Sequence, residues 1–132
     1  MIRNLIWDKL QKGWARYQDT LILYIESLVR MKYKIEEQGI YGFNDYLEVE
    51  ATPFERLAIE LVVDGTPPEL CSDILQNVLN SSGFSEDEYI RNVIFSEFVL
   101  NVQQGSIGAQ ELKLRLCSYL GIEGINNFFR KG

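Results

Sequence analysis

The first 38 residues carry an apolar pattern that limits the fold more than any other feature of this chain. Apolar or aromatic side chains recur there at spacings of three and four, at Trp7, Leu10, Trp14, Tyr17, Leu21, Tyr24, Leu28, Met31 and Ile35. This spacing predicts a heptad seam along one helix, which Gly39 would end because glycine adopts the left-handed conformation at little cost. Gly13 is the weak position of this helix, and a break near Asp19 and Thr20 would divide it into two.

The length of this helix leaves two interpretations of the seam open. An unbroken helix would be about 50 Å long, which is more than the remaining residues can cover completely. The seam could pack within the chain, or part of it could meet a second copy and form a homo-oligomer through the N-terminal heptads.

Capping signals predict where later helices begin. Thr52-Pro53-Phe54-Glu55 and Ser85-Glu86-Asp87-Glu88 each place a hydroxyl three residues before a glutamate, which is the capping-box pattern. Thr66-Pro67-Pro68-Glu69 repeats the first signal. Alternating β-branched residues are scarce, so no strand is predicted.

These patterns predict an all-α, single-domain bundle of six or seven helices with a long N-terminal helix. A chain of 132 residues fits one domain with one core. The predicted organisation has a long helix or helix pair in residues 1–38, a middle helical element in residues 40–80, and the C-terminal helices in residues 86–132.

The composition argues against several classes of function. The net charge of −6 disfavours nucleic acid as a partner, because binding phosphates needs clustered lysines and arginines. The chain has no histidine, so the commonest general base and metal ligand are both missing. Most carboxylates are expected on solvated faces or at helix starts. We therefore expect no enzyme, no cofactor and no metal site.

The apolar segments and cysteines favour a soluble, cytoplasmic protein. The most apolar run, Leu21 to Ile25, is followed by Glu26 and is far shorter than a membrane span. Cys71 and Cys117 lie on apolar helical patterns and are expected to be buried, reduced thiols, with a disulfide between them as the alternative.

The first twenty residues offer a membrane-surface alternative. Basic residues outnumber acidic ones there, and Trp7 and Trp14 lie among them. A basic helix with tryptophans can lie in a membrane interface, so a peripheral membrane adaptor stays open beside packing of both tryptophans in the core or the seam.

Two segments resemble the cytoplasmic region of flagellar motor stator A-subunits (MotA-like proteins). They are E-Q-G-I-Y-G-F-N-D-Y-L-E at Glu37–Glu48 and L-V-V-D-G-T-P-P-E-L at Leu61–Leu70. The resemblance implies the family's cytoplasmic helical fold, and attachment to rotor or stator components as partners.

The chain departs from the stator pattern at the positions that generate torque. Only residues 80–85 stand where the family inserts two membrane helices, so no proton path can form. The place of the family's rotor-facing arginine holds Glu36, and the place of its partner glutamate holds Asn44. The resemblance therefore implies a role accessory to motility rather than stator activity.

Together these observations predict a non-enzymatic protein-interaction module. The expected interface aromatics are Trp7, Trp14, Tyr17 and Tyr24, because aromatic residues dominate binding hot spots. Glu36, Glu37 and Asn44 are the expected polar contacts. A small helical domain that binds a ligand in an apolar pocket is the alternative from a different class.

Overall fold

The structure, a computed structural model, describes residues 2–105 and 107–131, and within these ranges it is all-α. The predicted bundle with a long N-terminal helix is confirmed. Seven α-helices and one 3-10 helix are present in the described ranges: α1 Trp7–Gln38, the 3-10 helix Gly39–Phe43, α2 Asn44–Val49, α3 Pro53–Val63, α4 Pro68–Ser81, α5 Glu86–Gln104, α6 Ala109–Ser118 and α7 Gly121–Lys131.

The N-terminal seam forms one kinked helix. The backbone of α1 leaves helical geometry at Tyr17 (φ −127°, ψ 25°), so the expected break near Asp19 and Thr20 lies two residues too late. Leu10, Leu21 and Leu28 of the seam are buried in the core of this chain. Intramolecular packing therefore accounts for most of the seam, as the first interpretation expected.

Helix α5 lies at the centre of the bundle. Its residues from Asn92 to Asn101 are all buried, and α1, α3, α4 and α6 pack against it. A helix covered on every side must be apolar around its whole circumference, which Phe95, Phe98 and their aliphatic neighbours provide. The polar residues of this stretch must then find partners inside the protein.

Most of the predicted helix boundaries are correct. Thr52 and Glu55 form the expected capping box, and the Ser85 amide donates to Glu88 at 3.3 Å. The Thr66 prediction is wrong, because α4 begins at Pro68 with Pro67 in the capping position. Pro67 already holds an extended backbone there, which leaves no place for a threonine cap.

Gly13 allows α1 to approach α5 closely. A Cβ atom built on Gly13 would lie 2.5 Å from the Glu86 carbonyl oxygen and 2.8 Å from Ile90 Cγ2. The apparent weak position of the helix is thus a contact point that excludes any side chain.

The cysteines and the hydropathy of the helices complete the comparison with the sequence. Cys71 and Cys117 are free and buried, as predicted, and burial raises the pKa of both thiols. None of the helices in the described part of the chain combines the length and apolarity that crossing a membrane requires.

Candidate protein-binding surface

An acidic surface surrounds the end of α1 and helix α2. The sequence from Ile35 to Glu55 contains six carboxylates and neither lysine nor arginine. Five of these carboxylates are exposed, and we call residues 36–50, which carry them, the acidic end: they are Glu36, Glu37, Asp45, Glu48 and Glu50.

Large apolar side chains are exposed among these carboxylates. Ile40 is 47% exposed, Tyr41 75% and Val49 81%. The 3-10 helix and α2 are too short to bury both of their faces. Phe43 and Tyr46 already serve as anchors on the buried side, where Phe43 meets Phe98 edge-on and Tyr46 stacks on Phe95.

A groove of about 610 Å³ separates α2 from α1 beside these apolar residues. Lys34 on α1 pairs with Asp45 on α2 at 2.7 Å, and this contact lowers the pKa of Asp45. Arg30, Val49 and Glu50 also line the groove. The nearest basic residues thus belong to α1, and one of them is already paired with a carboxylate of α2.

A buried polar cluster fixes α2 to the rest of the bundle, and Glu55 is its centre. The Glu55 side chain is fully buried, and its Oε2 atom accepts hydrogen bonds from the hydroxyls of Tyr24 and Tyr46. Arg91 Nη2 lies 3.3 Å from the same oxygen, while the Thr52 amide donates to Oε1 at 2.9 Å. One carboxylate therefore ties α1, α2, α3 and α5 together.

The electrostatics of this cluster hold Glu55 in its ionised form. Burial alone would raise the pKa of Glu55, but the Thr52 amide, the two tyrosine hydroxyls and the Arg91 charge together lower it. The carboxylate thus stabilises the fold above its ordinary pKa, and this contribution is lost as the pH falls. The Arg91 guanidinium also lies over the Tyr24 ring, 4.3 Å from its centre.

No family model, curated protein or solved structure matches this chain. The resemblance to stator A-subunits therefore stays a prediction from the residues quoted for it. In the described ranges, no three acidic or cysteine side chains lie close enough together to hold a metal ion.

The structure separates the predicted interface aromatics. Trp7 is 67% exposed, whereas Trp14 and Tyr17 are partly buried against the core. The hydroxyl of Tyr24 is bound to Glu55 inside the protein. Only Trp7 of these four presents most of its surface to solvent, and the interface role of each stays a prediction.

The predicted polar contacts lie together on the surface. Glu36, Glu37 and Asn44 are all exposed at the acidic end. Sequence reasoning placed Glu55 only as a capping residue and missed its contacts with Tyr24 and Tyr46. The available signal was that both tyrosines lie on apolar patterns, where a buried hydroxyl needs a partner.

Part of the basic N-terminal segment is also engaged within the chain. Lys9 Nζ donates to the Phe84 carbonyl at 2.7 Å and lies 5.7 Å from the centre of the Tyr89 ring. Arg3, Lys12 and Arg16 remain exposed. A membrane surface would therefore meet Trp7 and these three cations, without Lys9 and with little of Trp14.

The buried cluster predicts a loss of stability at alkaline pH. Burial first, and the Glu55 charge next, raise the pKa of Tyr24 well above its ordinary value of 10.0. In the unfolded chain Tyr24 ionises near that value, so its stabilising contribution is complete below about pH 10 and is lost as the pH rises. We expect Tyr24→Phe to lose about 1.4 kcal/mol less unfolding free energy than the wild type between roughly pH 9 and pH 11.

Urea unfolding of both proteins at the two pH values measures this difference. Tyr41→Phe is the control, because Tyr41 is 75% exposed, and it should follow the wild type. Equal losses in the wild type and Tyr24→Phe would contradict the assignment of a buried, neutral hydroxyl.

Proposed function

We propose that this chain is a non-enzymatic protein-interaction module whose acidic end binds a basic, apolar segment of a partner protein. One observation carries the proposal: Ile40, Tyr41 and Val49 are exposed among five exposed carboxylates in a stretch without lysine or arginine.

The composition of this surface determines which partner it fits. Binding surfaces commonly have an apolar centre and a polar rim, and tyrosine is enriched among the residues that dominate affinity. The surrounding carboxylates attract a positively charged segment and repel an acidic one. The partner's apolar side chains would cover Tyr41 and Val49 while its lysines or arginines meet Glu36, Glu37 and Glu48.

The buried cluster supports this proposal because it gives the surface a fixed shape. Tyr46 and Phe43 anchor the inner face of the acidic end, and Tyr46 is bound to Glu55 at 2.5 Å. A surface held in its binding conformation loses less conformational entropy when a partner binds.

Charge removal at the acidic end tests the proposal. A tagged chain is used to recover partners from the native cell, beside a variant carrying Glu36→Gln, Glu37→Gln and Glu48→Gln. We expect the variant to bind the recovered basic partner about tenfold more weakly and with a smaller dependence on salt, because each rim charge contributes up to about 1 kcal/mol.

A matched variant controls for net charge. Glu60→Gln, Asp64→Asn and Glu69→Gln remove three exposed carboxylates from α3, α4 and the turn between them. This control should bind the partner as the wild type does. Equal weakening by both triple variants would mean that only the net charge of the protein matters, and recovery of acidic partners alone would overturn the proposal.

The stator resemblance suggests a class of partner for the same experiment. The two resembling segments include the whole of α2, so rotor or stator proteins are the partners it implies. The support for this assignment is the resemblance alone. Recovery of flagellar motor proteins that depend on Glu36, Glu37 and Glu48 would establish a motility role, and recovery of unrelated basic proteins would remove it while leaving the interaction module intact.

A further inference from the structure

A second groove, of about 760 Å³, lies where the start of α1 meets α6 and α7. We call it the Trp7 groove. Its walls are mainly apolar and include Trp7, Ile107, Leu114, Ile125 and Phe129. Trp7 and Phe129 are each 67% exposed, because α7 packs mainly on α6 and leaves part of its apolar face uncovered. This volume is within the range of small-molecule sites.

The polar groups of the groove are a carboxylate and a guanidinium from different helices. Glu97 of α5 is almost completely buried, and its Oε1 atom accepts hydrogen bonds from the Ile2 amide at 3.2 Å and the Tyr119 hydroxyl at 2.8 Å. Arg115 of α6 lies 3.7 Å from Glu97 Oε2, which is too long for a direct hydrogen bond. Glu97 thus has other donors, and Arg115 keeps N–H groups for another acceptor.

We propose that the Trp7 groove binds a small anionic amphiphile, a carboxylate carried on an aliphatic chain. The carboxylate would accept paired hydrogen bonds from the planar guanidinium of Arg115, a geometry that this side chain favours. The aliphatic chain would lie along Trp7, Leu114 and Phe129 and remove these side chains from water. The inference rests on residues outside the acidic end and is independent of the function proposed for it.

The pairing of charges decides between this ligand and a neutral one. An aliphatic chain alone would be held by the apolar walls, but it would leave the Arg115 donors without the partner that the groove excludes from water on binding. An anionic head group satisfies these donors. Glu97 repels it less than an isolated carboxylate would, because the Tyr119 hydroxyl and the Ile2 amide already stabilise the Glu97 charge.

Octanoate and octanol, used below their aggregation concentrations, form the matched probes for this groove. In a Trp14→Phe background the remaining tryptophan fluorescence comes from Trp7, so covering of the groove is read as a blue shift. We expect octanoate to shift the emission and to bind more tightly than octanol. Arg115→Gln should weaken octanoate binding about tenfold and leave octanol binding unchanged.

Arg130→Gln on α7 is the control, because Arg130 is exposed and does not line the Trp7 groove. It should bind octanoate like the parent protein, and unchanged octanol binding by Arg115→Gln shows that the groove remains folded. Equal octanoate affinity in the two arginine variants, or no response of Trp7 to octanoate, would overturn the proposal. A dimer that Trp7→Ser dissociates and octanoate does not would identify a second copy as the occupant and overturn it as well.

Discussion

The Glu55→Ala variant is expected to lose about 3 kcal/mol of unfolding free energy. Removing one partner of a buried ion pair leaves the other charge without compensation, which costs about 3–5 kcal/mol when both partners are fully buried. The Arg91 side chain is 38% exposed, so water can partly replace the carboxylate and the expected loss lies at the low end. The lost capping box and the unpaired hydroxyls of Tyr24 and Tyr46 add to this loss.

Urea unfolding followed by circular dichroism measures this loss. Glu60→Ala is the matched control, because Glu60 lies on the same helix and is exposed. It should change the free energy by less than about 0.5 kcal/mol. A Glu55→Ala protein within about 1 kcal/mol of the wild type would contradict the assignment of Glu55 as the residue that joins four helices.

The Gly13→Ala variant is expected to lose about 2 kcal/mol, although alanine is the better helix former by about 1 kcal/mol. The added Cβ would approach the Glu86 carbonyl oxygen to 2.5 Å, and that oxygen belongs to the backbone of α5. The clash can be relieved only by moving α1 away from α5, which opens the packing around Leu10 and Ile90.

Thermal or urea unfolding tests this expectation, with Gly108→Ala as its control. Gly108 has no atom within 4 Å of an added Cβ, so the same chemical change meets open space there. The control should lose less than about 1 kcal/mol. A stabilised Gly13→Ala protein would mean that α1 does not approach α5 this closely.

Local signals in the sequence predicted the helix boundaries because their causes are local. Thr52 and Glu55 are three residues apart, so a capping box can be recognised without knowing the fold. Gly105 ends α5 in the left-handed conformation, at φ 61°. The exception at Thr66 arises because two adjacent prolines change which residue occupies the capping position.

The central position of α5 could not be predicted in the same way. A helix surrounded on all sides has no preferred apolar face, so its periodicity gives no direction for packing. Glu97 and Asn92 would be interpreted as solvated residues from the sequence, yet both are buried. Their partners are fixed only when α6 and the N-terminal segment fold against α5.

The candidate site was predictable in composition but not in geometry. The absence of basic residues from Ile35 to Glu55 is visible in the sequence, and it agrees with the choice of Glu36 and Glu37 as polar contacts. The exposure of Tyr41 depends on how the 3-10 helix turns after Gly39. The cluster around Glu55 joins residues from Tyr24 to Arg91, and such long-range contacts follow from the packing of whole helices.

Site-specific photo-cross-linking in the native cell tests the central claim, binding by the acidic end, most directly. A photoreactive phenylalanine replaces Tyr41 in one protein and Val63, which is 46% exposed on α3, in another. The account predicts an adduct with a basic protein from position 41 that disappears when Glu36, Glu37 and Glu48 are changed to glutamine. An adduct from position 63 alone, no adduct from position 41, or an adduct from position 41 that survives these changes would contradict it.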